Sequence, residues 1–239
     1  MTTLFISDLH LDDRRPETTA LLQNFLDSET SNADALYILG DLFEFWIGDD
    51  VPSKCSVEVA AAISRLADKG LPCYFMHGNR DFLLKAVYAK SAGMTLLPEE
   101  HVVELYGERV LLMHGDGLCT DDLPYQQFRT MVRNPAWQQD FLARPPQERL
   151  QIALQARDAS AEHKGNVEMA IMDVNPDEVI AAFERHEVLR MIHGHTHRPA
   201  THDLEVNDRA AQRIVLGDWY TQGSVLRVEP GNYELSALT

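Results

Sequence analysis

The chain of 239 residues is poor in cysteine, lacks long apolar runs and has many more acidic than basic residues. Its three cysteines, Cys55, Cys73 and Cys119, form no CxxC pair, so the sequence indicates neither a disulfide framework nor a thiolate zinc site. A reducing compartment, the cytoplasm, is the natural environment for such a protein. No uninterrupted apolar run approaches the ~18 residues of a membrane-spanning helix, so we expect any membrane contact to be peripheral.

The shortage of basic residues argues against one broad class of partner. The formal net charge is −16, which disfavours tight nucleic-acid binding through a wide basic face. The hydrophobic fraction of 45% is enough for a substantial core, and the length suits one domain or one domain with an insertion. Part of the acidic excess is available to neutralise bound metal ions. Nothing in the composition points to a protein partner.

Five apolar segments, each typical of a buried strand, are followed by residues that can bind a metal ion. The segments are 3–6, 35–39, 73–76, 110–113 and 188–192, and the residues that follow them are Asp8 and His10, Asp41, Asn79, His114, and His195 and His197. In an extended chain alternate side chains point to one side, so we expect His195 and His197 to reach one site. Each block alone is also typical of an ordinary turn. Five such blocks together favour a site.

Helical patterns alternate with these segments and predict an α/β sheet, in which ligands collect beyond the carboxyl ends of the strands. Near the end of the chain, residues 213–216 and 224–228 also resemble strands. We expect them to pair as a hairpin-like addition to a sheet. Between them lie Trp219 and Tyr220, which we expect to be core residues rather than site residues.

Residues 123–167, called the cap below, interrupt the rhythm of strands with helical patterns that break at two proline positions. The cap contains six basic and four acidic residues, a net charge of +2 against −18 for the rest of the chain. One interpretation is a structural flap. The other is a lid that meets an anionic lipid or substrate, with Arg129 and Arg133 facing anionic headgroups. The aromatic residues of 42–50 are open to two interpretations as well, packing under a loop or forming the wall of an apolar pocket.

The motifs Asp8-x-His10, Gly40-Asp41, Gly78-Asn79, His114 and Gly194-His195-x-His197 together resemble the calcineurin-like metallophosphoesterase superfamily. The resemblance implies an α/β sandwich, two β-sheets flanked by helices, with one domain over 1–239 and the cap inserted in it. It also implies two divalent metal ions, Mn²⁺ in the nearer branch, and a bridging role for Asp41. The implied ligands of one ion are Asp8, His10, Asp41 and His197. Those of the other are Asp41, Asn79, His114 and His195.

The chain departs from most members of the superfamily at one position. Arg80 follows the Gly78-Asn79 motif, where most members have histidine, and this difference points to one branch of the superfamily. The segments 40–50, 78–84 and 170–174 resemble a branch that hydrolyses the pyrophosphate bond of UDP-2,3-diacylglucosamine in the lipid A biosynthesis of Gram-negative bacteria. Its products are UMP and 2,3-diacylglucosamine 1-phosphate (lipid X), formed by two-metal activation of water. The resemblance therefore implies a lipid-linked nucleotide sugar as substrate. It also implies peripheral attachment to the cytoplasmic face of the inner membrane.

The same resemblance assigns roles around the metal ions. Asn79, Arg80 and His195 are the implied catalytic residues. The implied polar substrate contacts are Asn79, Arg80, Asp122, Ser160 and His195, with Lys164 in place of a lysine expected near Val167. Candidates for an apolar chamber that holds the acyl chains are Trp46, Phe82, Phe128, Phe141 and Ile171.

Two alternatives remain open at the level of sequence. A metallophosphodiesterase that acts on nucleotides or phosphoproteins would share the metal ligands but gives no account of an apolar cap. A binding scaffold of the retromer type, which has lost metal catalysis, predicts missing ligands. All seven implied ligands are present in this chain.

Overall fold

The computed structural model describes residues 1–166 and 173–238, and of residues 159–166 it describes the backbone alone. The strands in the described residues are β1 (Thr3–Ile6), β2 (Ala35–Leu39), β3 (Cys73–Met76), β4 (Met94–Leu96), β5 (Glu100–Leu105), β6 (Glu108–Met113), β7 (Arg190–His193), β8 (Ala200–Val206), β9 (Arg209–Val215), β10 (Ser224–Glu229) and β11 (Asn232–Ala237). The helices are α1 (Pro16–Glu29), α2 (Lys54–Asp68), α3 (Ala86–Ser91), α4 (Leu123–Arg133), α5 (Pro135–Leu142), α6 (Pro146–Asn166) and α7 (Pro176–His186). None of these helices is both long and apolar enough to cross a membrane.

The strands form two sheets that pack face to face. The first has the order β11-β10-β1-β2-β3-β4, and the second has the order β5-β6-β7-β9-β8. Side chains alternate across β1: Leu4 and Ile6 join the core cluster that contains residues of α1 and α2, whereas Phe5 joins the cluster between the sheets. This burial on both faces explains why β1 and β2 are continuous apolar runs. The predicted two-sheet α/β sandwich is confirmed.

The hairpin predicted near the end of the chain is wrong. The strand β9 pairs with β7 and β8 in the second sheet, whereas β10 pairs with β1 and β11 in the first. Two other hairpins lie in this region: β8–β9, which turns through Asn207 and Asp208 at positive φ, and β10–β11, which turns through residues 230–231. Apolar alternation marks a strand but not its partner, so the sequence located these strands and assigned one pair incorrectly.

The described part of the cap consists of α4, α5 and α6. The break between α4 and α5 falls at Asn134, whose side chain caps α5 by accepting from the backbone N–H of Ala136 at 2.9 Å. Deeper in the molecule, the buried side chain of Arg149 on α6 donates to the carbonyl of Ile47 at 2.6 Å and to Asp50 Oδ1 at 2.8 Å. These bonds dock α6 onto the loop that follows β2. The division of the chain into one domain with an insertion over 123–167 stays a prediction.

The arginines of α4 also bond to residues outside the cap. Arg129 Nε lies 2.8 Å from Asp116 Oδ2, and Arg133 Nη1 lies 2.9 Å from Glu99 Oε1. Arg133 also donates to the carbonyl of Gly78 at 2.9 Å. The expectation that these two arginines face anionic headgroups is therefore wrong. The positive charges of these two arginines are thus neutralised by acidic residues outside the cap. A count of charges along the chain does not reveal this pairing.

Candidate metal centre

The predicted metal ligands lie where strands of both sheets end, and five of them have an unusual backbone. These residues are Asp8 (φ 56°), His10 (φ 50°), Asp41 (φ 52°), His195 (φ 69°) and His197 (φ 56°). Left-handed conformations are uncommon for residues other than glycine and cluster at functional sites. Both imidazoles lie at the candidate metal centre, but the backbone of His195 and His197 is not extended, so alternation of side chains is not what brings them there. The turns send these two imidazoles to different groups of donors.

The first group of donors comprises Asp8, His10 and His197, whose ligand atoms lie within 4.8 Å of one another. His10 Nε2 lies 3.2 Å from His197 Nε2, and His197 Nε2 lies 3.3 Å from Asp8 Oδ1. Asp41 Oδ2 lies 3.8 Å from His10 Nε2. Ligand atoms ~2.1 Å from one ion are ~3.0 to 3.4 Å apart. The two closest of these separations suit a shared cation.

The second group lies on the other side of Asp41. His114 Nε2 lies 3.8 Å from Asp41 Oδ1 and 3.0 Å from Asn79 Oδ1, which is also 2.9 Å from His195 Nδ1. The two oxygens of Asp41 thus face different groups, as a bridging carboxylate requires. Asp8 also lies within 4.8 Å of the donors of Asp41 and His114, so it borders both groups.

Asp8 supplies the test of whether these residues fit a metal ion. Its side chain is fully buried, and Oδ1 has no hydrogen-bond partner among the described residues. Burial opposes ionisation, but the adjacent imidazole of His197, with the charges of His114 and His10, holds the pKa of Asp8 well below its usual range. A buried, ionised oxygen that accepts no hydrogen bond from the described residues and lies among imidazoles fits a divalent cation.

Tight packing behind the donors fixes the two aspartates. Ser7 Oγ donates to Asp8 Oδ2 at 2.5 Å, and the backbone N–H of His195 donates to the same oxygen at 3.0 Å. A Cβ added at Gly194 would lie 2.2 Å from Asp8 Oδ2, and one added at Gly78 would lie 2.1 Å from Asp41 Oδ1. Only glycine allows the backbone to approach these carboxylates so closely.

Asp81 is a supporting residue that the sequence analysis missed. Its buried carboxylate accepts from the backbone N–H of Leu42 at 2.7 Å and of Gly78 at 2.9 Å. It therefore joins the loop that carries Asp41 to the loop that carries Asn79. Burial and the charge of Asp41 raise the pKa of Asp81 to about 7. The one feature of the sequence that could have identified Asp81 is its position two residues after Asn79.

Tyr220 corrects a second expectation, because it lies at the site rather than in the core. The residue is 46% exposed, and its ring stacks on that of His10 with the ring centroids 4.9 Å apart. Its hydroxyl donates to Glu44 Oε2 at 3.4 Å, and Glu44 Oε2 lies 3.3 Å from His10 Nδ1. Trp219 is buried, as expected. Nothing local distinguishes the two aromatics, since Tyr220 meets His10 only through the fold.

A cavity of about 350 Å³ opens beside the donors, between the loops after β2 and β3 and the cap. Six of the predicted site residues line it, namely Trp46, Asn79, Arg80, Phe82, Phe128 and Phe141. Trp46 is also packed against Phe43 and Tyr88, so both interpretations of the 42–50 aromatics hold in part. The Nε atom of Arg80 is buried and has no hydrogen-bond partner among the described residues.

Asp122, a further predicted contact, does not line this cavity. Asp122 is buried at the start of α4, where Oδ1 accepts from the backbone N–H of Tyr125 at 3.1 Å. Ser160 and Lys164 lie on α6, but their side chains lie outside the description. Ile171 lies outside the described residues.

Comparison with known proteins identifies the family. Residues 1–199 match the model of the calcineurin-like phosphoesterases. The chain belongs to this family. The predicted superfamily is thus confirmed, and the protein is a metal-dependent hydrolase for which the two donor groups are candidate sites of divalent metal ions.

Two relatives align with this phosphoesterase over nearly their whole length. A protein of Stenotrophomonas maltophilia (strain K279a) named UDP-2,3-diacylglucosamine hydrolase is 55% identical over 245 residues, which cover 100% of this chain and 99% of the relative. A protein of the same name from Escherichia coli O157:H7 (strain EC4115 / EHEC) is 55% identical, with 98% of each chain covered. The solved structure of an archaeal phosphodiesterase, 14% identical, aligns over 100% of both chains with a TM-score of 0.50 and supports the fold alone.

Proposed function

We propose that this phosphoesterase hydrolyses the pyrophosphate bond of UDP-2,3-diacylglucosamine and releases UMP and 2,3-diacylglucosamine 1-phosphate. The relatives named UDP-2,3-diacylglucosamine hydrolase support the substrate, because each is 55% identical and the alignments cover 98 to 100% of this chain. The observation that carries the proposal is the juxtaposition of an apolar cavity with the donor groups. Asn79 borders both, since Oδ1 faces His114 and His195 while the residue lines the cavity.

The seven donors are proposed to hold two divalent ions, Mn²⁺ in each site. The first site would use Asp8, His10, Asp41 and His197, and the second would use Asp41, Asn79, His114 and His195. A metal pair of this kind supplies an activated water at neutral pH and neutralises charge on the phosphoryl oxygens. The nitrogen and oxygen donors suit a first-row divalent ion such as Mn²⁺.

Arg80 is proposed to bind the diphosphate of the substrate. Its backbone N–H donates to Asp41 Oδ1 at 2.8 Å, so the residue is held directly at the metal centre. Its side chain lines the cavity, and its buried Nε lacks an acceptor among the described residues, which a phosphoryl oxygen would supply. Arginine at this place neutralises charge that develops on the phosphates. Asn79 and His195 are proposed to contact the same diphosphate. Contacts to the sugar and phosphate are also proposed for Asp122, Ser160 and Lys164.

The acyl chains are proposed to enter the cavity beneath the cap. Its aromatic lining includes Trp46, Phe82, Phe128 and Phe141, and Ile171 is proposed as a further member of the chamber. Each buried CH₂ contributes ~0.8 kcal/mol, so a few methylenes give strong preference for an acylated substrate. This lining favours the lipid substrate over nucleotides or phosphoproteins, which have no comparable apolar group.

Peripheral attachment to the cytoplasmic face of the inner membrane is part of the proposal. Large apolar side chains are exposed on two cap helices, namely Leu123, Phe128 and Met131 on α4 and Leu150 and Leu154 on α6. Contiguous exposed apolar residues are typical of membrane or partner contacts. Attachment would bring the mouth of the cavity to the surface in which a diacylated substrate resides.

Product analysis tests the proposal. The purified protein is incubated with UDP-2,3-diacylglucosamine and Mn²⁺, with and without a chelator, and the products are separated by mass. We expect UMP and 2,3-diacylglucosamine 1-phosphate in equal amounts, formed only without the chelator. Turnover of simple phosphodiesters but not of the diacyl substrate would support the alternative metallophosphodiesterase.

A further inference from the structure

Glu44 is a buried carboxylate at the metal centre for which the reaction has no evident use. It lies three residues after Asp41, is 6% exposed, and its backbone N–H donates to the carbonyl of Leu11 at 3.0 Å. This bond and the bridge between Leu11 and Phe43 fix the loop that carries it to the loop that carries His10. These two backbone contacts therefore hold Glu44 close to His10.

The two oxygens of Glu44 face different parts of the molecule. Oε2 lies 3.3 Å from His10 Nδ1 and accepts from the hydroxyl of Tyr220 at 3.4 Å. Oε1 lies 3.2 Å from Arg157 Nε. Because Arg157 belongs to α6, Glu44 joins a cap helix to a predicted metal ligand.

The Nδ1 atom of His10, on the side of the ring that faces Glu44, lacks a hydrogen-bond acceptor in the part of the chain that the structure describes. Its Nε2 faces the first donor group, while its buried Nδ1 forms no hydrogen bond with the described residues. Glu44 Oε2, 3.3 Å from Nδ1, is a carboxylate oxygen within reach of a hydrogen bond from this nitrogen. A histidine that binds a metal through one nitrogen ordinarily donates from the other, often to a carboxylate.

We propose that Glu44 is a positioning residue that holds His10 in the tautomer with hydrogen on Nδ1, and that Arg157 fixes Glu44 for this task. This inference rests on the proposed metal centre. Its consequence is that the position of the cap helix α6 influences how tightly the first site binds its ion. A molecule bound in the cavity would contact the ion pair of Glu44 and Arg157, because both residues line the cavity.

The test measures Mn²⁺ binding to the full chain by titration, with free Mn²⁺ followed by electron paramagnetic resonance. Removing a carboxylate of this kind typically costs 10- to 100-fold in metal affinity. We therefore expect Glu44→Gln to weaken one of the two binding steps by about 10-fold or more. Asp12→Asn is the matched control, since it removes an equal charge from a buried carboxylate that bonds to Arg14 rather than to a ligand. We expect this control to bind Mn²⁺ nearly as the parent protein does.

The role of Arg157 is tested by Arg157→Lys, which keeps the charge but removes the guanidinium that meets Glu44. We expect a smaller loss of Mn²⁺ affinity than in Glu44→Gln, and no further loss when the two substitutions are combined. A loss in the combined variant equal to the sum of the two single losses would overturn the link to the cap. If Glu44→Gln does not fold, Glu44→Asp, which keeps the charge but retracts the oxygens, should show the same weakened step.

The outcomes separate this inference from the proposed function. Failure of the parent protein to bind Mn²⁺ contradicts the metal centre itself. Normal Mn²⁺ binding in folded Glu44→Gln, or equal weakening in Asp12→Asn, contradicts the positioning role and leaves the metal centre standing. Folding is checked for each variant by circular dichroism and by the Tm of the metal-free protein.

Discussion

At the scale of single residues, the chemistry depends on a few carboxylates placed where they repel one another. Asp41 lies between the two donor groups, and its charge is one cause of the raised pKa of Asp81. The backbone turns at Asp8 and Asp41 are left-handed, which costs of order 1–3 kcal/mol for each residue. Conformations of this kind persist because the surrounding packing over-determines them, as the close approach of Gly78 and Gly194 illustrates.

The substitution Asp41→Ala should abolish hydrolysis and the binding of at least one Mn²⁺ ion, because both donor groups lose their shared carboxylate. The Tm of the metal-free protein should not fall, since the substitution also removes repulsion from Asp81. Activity assays, Mn²⁺ titration and thermal unfolding measure these effects. Normal turnover by a folded, metal-depleted Asp41→Ala protein would contradict the two-metal interpretation.

At the scale of secondary-structure elements, the cap is attached by specific polar bonds. Arg149 on α6 binds Asp50 and the carbonyl of Ile47, and Arg133 on α4 binds Gly78 and Glu99. Lys85 Nζ donates to Gln138 Oε1 on α5 at 2.8 Å. Each of the three cap helices is thus bonded to the loops that follow β2 or β3, near the residues proposed to bind phosphate.

Replacing Arg149 by Met should lower the free energy of unfolding by about 1–3 kcal/mol, because a buried carbonyl and one side of Asp50 lose their partner. The side chain of Asp50 is 62% exposed and can be hydrated, which keeps the loss below that of a fully buried pair. Arg144→Met is the control, since Arg144 and Glu148 form an exposed pair on one helix. Urea unfolding should show a change below about 0.5 kcal/mol for the control. Equal changes in both variants would show that Arg149 does not anchor α6.

Substitutions of two aromatic residues of the cap distinguish an effect on substrate selectivity from an effect on stability. Phe128 lines the cavity and is 38% exposed, so Phe128→Ala should weaken the use of the diacyl substrate while leaving the fold intact. Phe141 is 5% exposed and stacks on Trp137, so Phe141→Ala should also destabilise the protein, by about 3–5 kcal/mol. A small generic phosphodiester should be hydrolysed by Phe128→Ala at nearly the normal rate. Equal losses of kcat/KM on both substrates would show that Phe128 only supports the fold.

At the scale of the whole molecule, the candidate metal centre joins the two sheets. Asp8, Asp41 and Asn79 follow strands of the first sheet, whereas His114 and His195 follow strands of the second. A backbone group repeats this connection, since the N–H of His195, after β7 of the second sheet, donates to Oδ2 of Asp8, after β1 of the first, at 3.0 Å. Binding of metal ions would therefore tie the sheets together at one end of the sandwich.

Addition of Mn²⁺ should raise the Tm of the protein in proportion to the logarithm of the free metal concentration. Binding to the folded state alone stabilises by about 2.7 kcal/mol at a free concentration 100 times Kd. Differential scanning calorimetry over a series of Mn²⁺ concentrations measures the effect. Mg²⁺ at equal ionic strength is the control for charge screening, because the nitrogen donors suit it poorly. An equal rise of Tm with both ions would indicate relief of the net charge rather than binding at the site.

The sequence by itself determined which residues follow each strand. Short apolar runs ending in Asp41, Asn79 and His114 could be recognised because strand burial and the polar turn after it are local properties of the chain. The same local character located the helices of the cap and the break at Asn134. The two-sheet architecture came from the family resemblance, since the pattern of each strand is compatible with either sheet.

Only the tertiary structure decided how these residues meet. It placed β9 and β10 in different sheets, directed His195 and His197 to different donor groups, and brought Tyr220 onto His10. It also paired Arg129 and Arg133 with acidic residues outside the cap, while Leu123, Phe128 and Met131 of α4 are exposed. The physical reason is common to all four: pairing between strands, stacking of rings and neutralisation of charge depend on distance in space, which the order of residues along the chain does not specify.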